Sequence, residues 1–194
     1  MPKNSQNRMI LMMSREDGLR LIREYVSKEN NIKHMIAVSG IMKEVATRLG
    51  ENPAEWELVG LLHDIDFERC KGIEDHTLVA KELLQGKISD RLIEAIMAHN
   101  FENTNVPLDS VIKKALVASD ALSGLIVATA LVMPSKKIAE IKIETLIKKF
   151  KSKDFARGAS RERIALCSEL GLSLEEFMEI GLEGMKKVAP ELGL

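Results

Sequence analysis

Apolar residues recur every three or four positions along most of the chain, and almost no segment alternates apolar and polar residues as a half-buried strand does. Leu19, Ile22 and Val26, for example, follow Ser14, a residue that suits the N-cap position of a helix. We therefore predict an all-α fold of about nine helices. In chain order they run from about Ser14 to Val26, Asn31 to Gly50, Pro53 to His63, His76 to Gly86, Ser89 to His99, Asp109 to Met133, Lys136 to Lys151, Ser160 to Gly171, and from Ser173 onwards.

Capping residues support several of these boundaries. Asn31 is predicted to cap the second helix, and Gly50 to close it in a left-handed conformation. Pro53 suits a first helical turn, where its missing N–H costs nothing. Ser173 followed by Glu176 is a capping-box pattern.

The apolar segment from Ala115 to Met133 is about as long as a membrane span. Asp120 lies inside it, however, and an ionised carboxylate is costly in lipid. We interpret the segment as a helix buried in the protein core, in which Asp120 needs a partner.

Length and composition are typical of one domain with a sizeable core. The chain has 194 residues, of which 45% are hydrophobic, and its net charge is −1. The balanced charge gives no general attraction to nucleic acid or to a membrane. Cys70 and Cys167 form no C-x-x-C pair, so neither a disulfide framework nor a zinc ribbon is expected. The apolar run from Met9 to Met13 is too short for a signal peptide, which makes the cytoplasm the expected compartment.

All 4 histidines lie near predicted helix ends, and two aspartates accompany them. A single histidine at a helix C-terminus can simply be favourable with the helix dipole, and an aspartate in an apolar helix can cap a neighbouring helix. Together, imidazoles and carboxylates without a thiolate suit Mn, Fe, Co, Ni, Zn or Mg ions, and paired ions activate water for attack on phosphorus. The candidate residues are His34, His63, Asp64, His76, His99 and Asp120.

These residues lie in segments that resemble the HD-domain metal-dependent phosphohydrolases. The order His34, His63-Asp64, Asp120 is similar to that family's H…HD…D signature. The resemblance covers about residues 30–130, within a single domain 1–194 that has a C-terminal helical extension at about 135–194. The matching segments are "NIKHMIAVSGIMKEVATRLG", "LVGLLHDID", "HTLVAKELL", "AIMAHN" and "ALVASDALSGL".

The resemblance implies that His34, His63, Asp64 and Asp120 surround one metal ion. His76 and His99 match the extra ligands of the dinuclear branch, in which Asp64 would bridge two divalent ions and act in catalysis. The family's usual glycine after HDI is Asp66 here. This residue is a candidate catalytic proton acceptor, a partner of His63 or His34, or a solvated loop residue.

A phosphate-handling site needs further cations, and Lys136 and Lys137 are the preferred candidates because Pro134 ends the preceding helix near them. Arg69 and Lys71 follow the HD pair and are further candidates. Runs of charge are usually solvated helix faces, and the same holds for the remaining basic residues: Lys148, Lys149, Lys151, Lys153, Arg157 and Arg161.

The resemblance implies hydrolysis of a phosphoester, such as a nucleotide, a cyclic nucleotide or a small phosphomonoester, by a metal-activated water. The expected partner is a small phosphorylated substrate and not a nucleic-acid polymer or a membrane, and a homo-oligomer is possible. Two alternatives stay open: a di-iron oxygenase of the inositol oxygenase type, which uses the same ligand pattern, and a non-catalytic HD module that binds a nucleotide.

Overall fold

A computed structural model describes residues 13–194, and within this range the chain forms helices and no β-strand, as predicted. The N-terminal residues considered above as a signal peptide lie outside the described residues, except Met13. The α-helices are α1 Arg15–Tyr25, α2 Glu29–Leu49, α3 Pro53–Leu62, α4 Leu78–Leu84, α5 Asp90–Met97, α6 Phe101–Thr104, α7 Val111–Val132, α8 Ile143–Lys151, α9 Arg161–Ala165 and α10 Leu174–Leu192. Short 3₁₀ turns cover Ala98–Asn100, Ile138–Glu140 and Leu166–Leu170.

Local capping signals fixed several boundaries where they were expected. Ser14 and Ser173 each close a capping box at the start of α1 and α10. Gly50 ends α2 at φ 73°, a left-handed conformation that glycine adopts without steric cost. Pro53 occupies the first turn of α3, whose N-cap is Asn52.

The start of α2 differs from the prediction, because the helix begins at Glu29 and not after Asn31. A carboxylate distant in sequence holds this end: Glu68 accepts hydrogen bonds from the backbone N–H groups of Ser27 (3.1 Å) and Lys28 (2.9 Å). The Ser27 hydroxyl and the Asn31 amide donate to the same carboxylate. The Ser27 hydroxyl, together with these other donors, lowers the pKa of Glu68 to about 2.

The prediction of one helix from Lys136 to Lys151 is wrong. Lys136 adopts φ 54°, a left-handed conformation that cannot continue a helix, and a 3₁₀ turn separates it from α8. The single turn α6 was not predicted, since four residues are too few to show a period.

Buried side chains from α1 to α10 form one continuous hydrophobic cluster, with α2 at its centre. Glycines allow α2 to approach its neighbours closely. A Cβ on Gly60 of α3 would lie 2.8 Å from the Cα of Ser39, and one on Gly40 would lie 2.7 Å from the carbonyl oxygen of Gly184 in α10. Helix α7 is the one described helix long and apolar enough to span a membrane, but 67% of its most apolar window is buried against other helices, as predicted for a core helix.

Candidate metal centre

Five segments of the chain bring the predicted histidines and aspartates into one cluster. His34 lies in the second turn of α2, one turn further into the helix than a cap at Asn31 would have placed it. His63 is the C-cap of α3 and is followed directly by Asp64. The other members are His76 just before α4, His99 in the 3₁₀ turn after α5, and Asp120 in the middle of α7.

One half of the cluster is formed by His34 and His63. Their Nε2 atoms are 3.2 Å apart. Oδ2 of Asp64 lies 3.5 Å from Nε2 of His34 and 3.4 Å from Nε2 of His63. Oδ1 of Asp120 lies 3.0 Å from Nε2 of His34, so two carboxylates and two imidazoles face a common point.

The other half is formed by His76 and His99. The second oxygen of Asp64, Oδ1, lies 3.3 Å from Nε2 of His76 and 3.6 Å from Nε2 of His99. Asp120 also reaches this side, with Oδ2 3.9 Å from Nδ1 of His99. Asp64 therefore stands between two pairs of imidazoles and turns one oxygen toward each.

Some nitrogen and oxygen atoms of this cluster that could bind a metal have no hydrogen-bond partner in the part of the chain that the structure describes. Nδ1 of His63 donates to the carbonyl oxygen of Gly60 (2.8 Å), so in the neutral ring its Nε2 carries a lone pair that faces His34. Among the described residues, buried Oδ1 of Asp64 and Nδ1 of His99 have no hydrogen-bond partner. Buried polar atoms are normally paired, so two convergent sets of lone pairs fit divalent cations.

Electrostatics within the cluster favour ionised carboxylates. Burial would raise the pKa of Asp64, but the surrounding imidazoles hold it well below its usual range. Burial would also raise the pKa of Asp120, but His99 and His34 lower it to about 2. Burial lowers the pKa of His63 to about 4, which keeps that ring neutral and able to bind a metal.

Asp66 is fully buried, so its interpretation as a solvated loop residue is wrong. Its Oδ1 lies 2.9 Å from Nδ1 of His76, and its Oδ2 accepts the backbone N–H groups of Thr77 (2.7 Å) and Ala80 (2.9 Å). Its partner is thus His76, not His63 or His34. With both oxygens engaged, Asp66 orients a histidine, and the geometry gives no support to its role as a proton acceptor in catalysis.

Thr77 adopts an unusual conformation for a β-branched residue, with φ 68° at the N-cap of α4. In this conformation the backbone N–H of Thr77 points at Asp66, and Thr77 directly follows His76 in the chain. A strained backbone conformation persists only where surrounding contacts hold it, and such conformations cluster at functional sites.

The predicted phosphate-binding lysines lie away from the cluster. Helix α7 continues for twelve residues beyond Asp120, about 18 Å at 1.5 Å per residue, and the exposed Lys136 and Lys137 follow its end. Their role stays a prediction that this geometry does not favour. Arg163 instead lines a cavity together with His34 and Asp120. Sequence reasoning missed Arg163, because its position depends on how α9 packs on α7.

The partly buried His/Asp cluster in an all-α bundle is compatible with divalent metal binding. A profile of the HD domain matches residues 31–130, just over half of the chain. The chain belongs to the HD domain family, as the resemblance over residues 30–130 predicted. It is 30% identical over 168 residues to an uncharacterized protein of Methanocaldococcus jannaschii, an alignment that covers 81% of this chain and 96% of that protein. No solved structure matches the chain significantly.

Proposed function

We propose that the protein is a metal-dependent phosphohydrolase that acts on small phosphoesters. The observation that carries this proposal is the position of Asp64, whose two oxygens face two different pairs of imidazoles at 3.3–3.6 Å. A carboxylate in this position suits a bridge between two divalent ions. The proposed ligands are His34, His63, Asp64, His76, His99 and Asp120.

Divalent ions held there would neutralise phosphate charge and activate a water nucleophile at neutral pH. The protein's part is to keep the donor atoms in place and to hold Asp64, Asp120 and His63 in the protonation states that bind a metal. Asp64 and Asp120 are ionised because their pKa values are low, and burial keeps His63 neutral. Nitrogen and oxygen donors without a thiolate are compatible with Mn, Fe, Co, Ni, Zn or Mg.

The cluster opens to solvent on one side, which indicates where a substrate approaches. The side chain of His34 is 32% exposed and that of Asp120 is 19% exposed, whereas His63 is fully buried. A cavity of about 450 Å³ adjoins His34 and Asp120. This volume is in the usual range for small-molecule sites, which supports a small phosphorylated substrate.

The proposal is tested with protein purified without chelator, reconstituted with each candidate metal and incubated with a panel of phosphoesters. We expect metal-dependent phosphate release that Asp64→Asn abolishes, while its matched control Asp90→Asn retains it. Asp90 is exposed in the first turn of α5, at the far end of that helix from His99. Metal analysis should give two ions per chain and one in His76→Ala.

Two outcomes would replace this proposal. If the fully metallated protein hydrolyses no phosphoester but binds nucleotides in a thermal-shift screen, the chain is a binding module. If anaerobically prepared protein takes up two irons and shows an oxygen-dependent spectral change with substrate, the chemistry is that of a di-iron oxygenase.

A further inference from the structure

Two cavities open on either side of His34 and share part of their walls. The larger, of about 450 Å³, lies between α7 and the segment 156–163. The smaller, of about 360 Å³, lies between α2, α7 and the C-terminal residues of α10. His34 and Gly124 border both cavities, so a ligand held at the candidate metal centre has access to both.

The larger cavity has a cation in its wall. The guanidinium of Arg163 pairs through Nη2 with the Glu102 carboxylate at 2.5 Å and lies 5.6 Å above the ring of Phe101. The Glu102 side chain is 52% exposed. An ion pair with such an exposed partner contributes little, whereas a phosphate offers Arg a bidentate, charge-assisted partner. A phosphate can therefore take the place of Glu102.

The smaller cavity is mainly apolar. Val127, Leu131 and Leu192 contribute aliphatic walls, and Lys33 is its one basic residue other than His34. Leu131 is 52% exposed and lies in the last turn of α7, next to the exposed Val132. Apolar surface of this kind is typical of the part of a small-molecule site that holds an organic group.

Gly124 lies in the middle of α7 between the two cavities. A helix-interior glycine is less favourable than alanine, so its presence needs a reason. Packing within the protein provides none, because a Cβ at this position would meet only Ala159 Cβ at 3.9 Å, an ordinary van der Waals contact. Gly124 is exposed and borders both cavities, so an added methyl group would reduce the space beside them.

We propose that the two cavities form one substrate groove across α7, in which Arg163 binds phosphate oxygens and the apolar cavity holds an aromatic or aliphatic group of the substrate. The groove passes His34 at the metal centre and Gly124 in α7, the two residues that border both cavities. The substrate class is therefore an organic phosphoester with an apolar or planar group, rather than a phosphoester of a small polar alcohol such as glycerol. The inference rests on the proposed phosphohydrolase function for the reaction, but its claim concerns binding.

The two members of the Arg163–Glu102 pair should respond in opposite directions. In metal-loaded protein, Arg163→Gln should raise the KM for p-nitrophenyl phosphate and the Kd for inorganic phosphate about tenfold, as expected for loss of a charge-assisted hydrogen bond. Glu102→Gln should leave both constants unchanged or lower them, since it removes a competitor of the phosphate. A merely structural ion pair predicts the same weakening in both variants, and that result would overturn the assignment of Arg163.

The apolar cavity is tested by comparing phenyl phosphate with glycerol phosphate. Leu131→Ser should raise the KM for phenyl phosphate several-fold and leave that for glycerol phosphate unchanged. Gly124→Ala should raise the melting temperature and at the same time raise the KM for phenyl phosphate. Equal effects on the two esters, or a stabilised Gly124→Ala protein with unchanged KM, would show that the substrate does not cross this groove.

Failure of the proposed function can be told apart from failure of the groove. If no ester is hydrolysed, calorimetric binding of inorganic phosphate and of intact phenyl phosphate to the same variants still tests Arg163 and the apolar cavity. If the wild-type protein hydrolyses phosphoesters and all four variants have the same KM and Kd values as wild type, the proposed function stands and the proposed groove is excluded.

Discussion

Nδ1 of His76 lies 2.9 Å from Oδ1 of Asp66, and both side chains are buried. The second Asp66 oxygen is fixed by the N–H groups of Thr77 and Ala80, so the carboxylate cannot rotate without losing two hydrogen bonds. His76 is consequently held with Nε2 toward Asp64. A carboxylate that orients a metal-binding imidazole also raises its basicity.

Asp66→Asn should weaken metal binding in the half of the cluster formed by His76 and His99. An asparagine must turn its NH₂ group either toward two backbone N–H donors or toward His76, and the second arrangement places the histidine proton on Nε2. We expect roughly a 10- to 100-fold loss of affinity for one of the two proposed ions, the usual effect of removing such a partner. Metal analysis and calorimetric titration measure it.

Asp90→Asn is the matched control and should keep both ions. Unchanged affinity for both ions in Asp66→Asn would show that Asp66 only stabilises the fold around α4.

Much of the fold follows from local sequence, whereas the environment of Asp66 does not. The capping boxes of α1 and α10 and the end of α2 at Gly50 each depend on residues within one turn. The burial of Asp66 depends on residues ten to fourteen positions away and on the left-handed backbone of Thr77, which no propensity scale predicts for threonine.

Long-range contacts explain the remaining differences in the same way. Glu68 extends α2 by three residues toward its N-terminus, although Asn31 is the better cap by residue type. The histidines and aspartates of the cluster were recognised from their order along the chain. Only the structure shows that each oxygen of Asp64 faces a different pair of imidazoles. Arg163 was missed because only the packing of α9 on α7 brings it near Asp120.

Glu68→Gln should lower the melting temperature by a few degrees at pH 7, because it weakens the hydrogen bonds that hold the start of α2. The pKa of Glu68 is lowered from 4.5 to about 2 in the folded protein, so its stabilisation is fully present above pH 4.5 and is lost as the pH falls through 2. The difference in melting temperature between wild type and variant should therefore become smaller as the pH falls from 4.5 to 2. Thermal unfolding across pH 2–7 measures it.

Glu51→Gln provides a control at an exposed position just after α2, and it should match wild type throughout. A wild-type–variant difference for Glu68→Gln that stays constant down to pH 2 would mean that the carboxylate charge contributes nothing to the start of the helix.

Gly60→Ala should destabilise the protein by about 1–3 kcal/mol, the usual cost of forcing an extra methyl group into a packed interior. The new Cβ would lie 2.8–3.0 Å from backbone atoms of Val38 and Ser39, which cannot move aside as a flexible side chain could. The shift would also displace the Gly60 carbonyl that orients His63, so metal affinity should fall as well. Chemical denaturation and metal titration measure the two effects.

Gly124→Ala is the matched control for stability, since it adds the same methyl group to a helix where there is room for it. It should stabilise the fold by up to about 1 kcal/mol through helix propensity. Equal stability changes in the two variants would contradict the close contact between α2 and α3.

Arg161→Lys should loosen the segment 152–159, which forms one wall of the larger cavity. The Arg161 guanidinium donates to carbonyl oxygens before and along this segment, those of Lys149, Phe150, Ser152, Phe155, Ala156 and Ala159. A lysine has three donors on one atom and cannot reproduce this planar set. We expect a loss of about 1–3 kcal/mol, faster proteolysis within 152–159, and a higher KM with little change in kcat because the metal ligands lie on other elements. Arg157→Lys, an exposed change in the same segment, should alter none of these quantities. If Arg161→Lys instead lowered kcat with unchanged KM, the segment would act on the metal centre and not on the cavity wall.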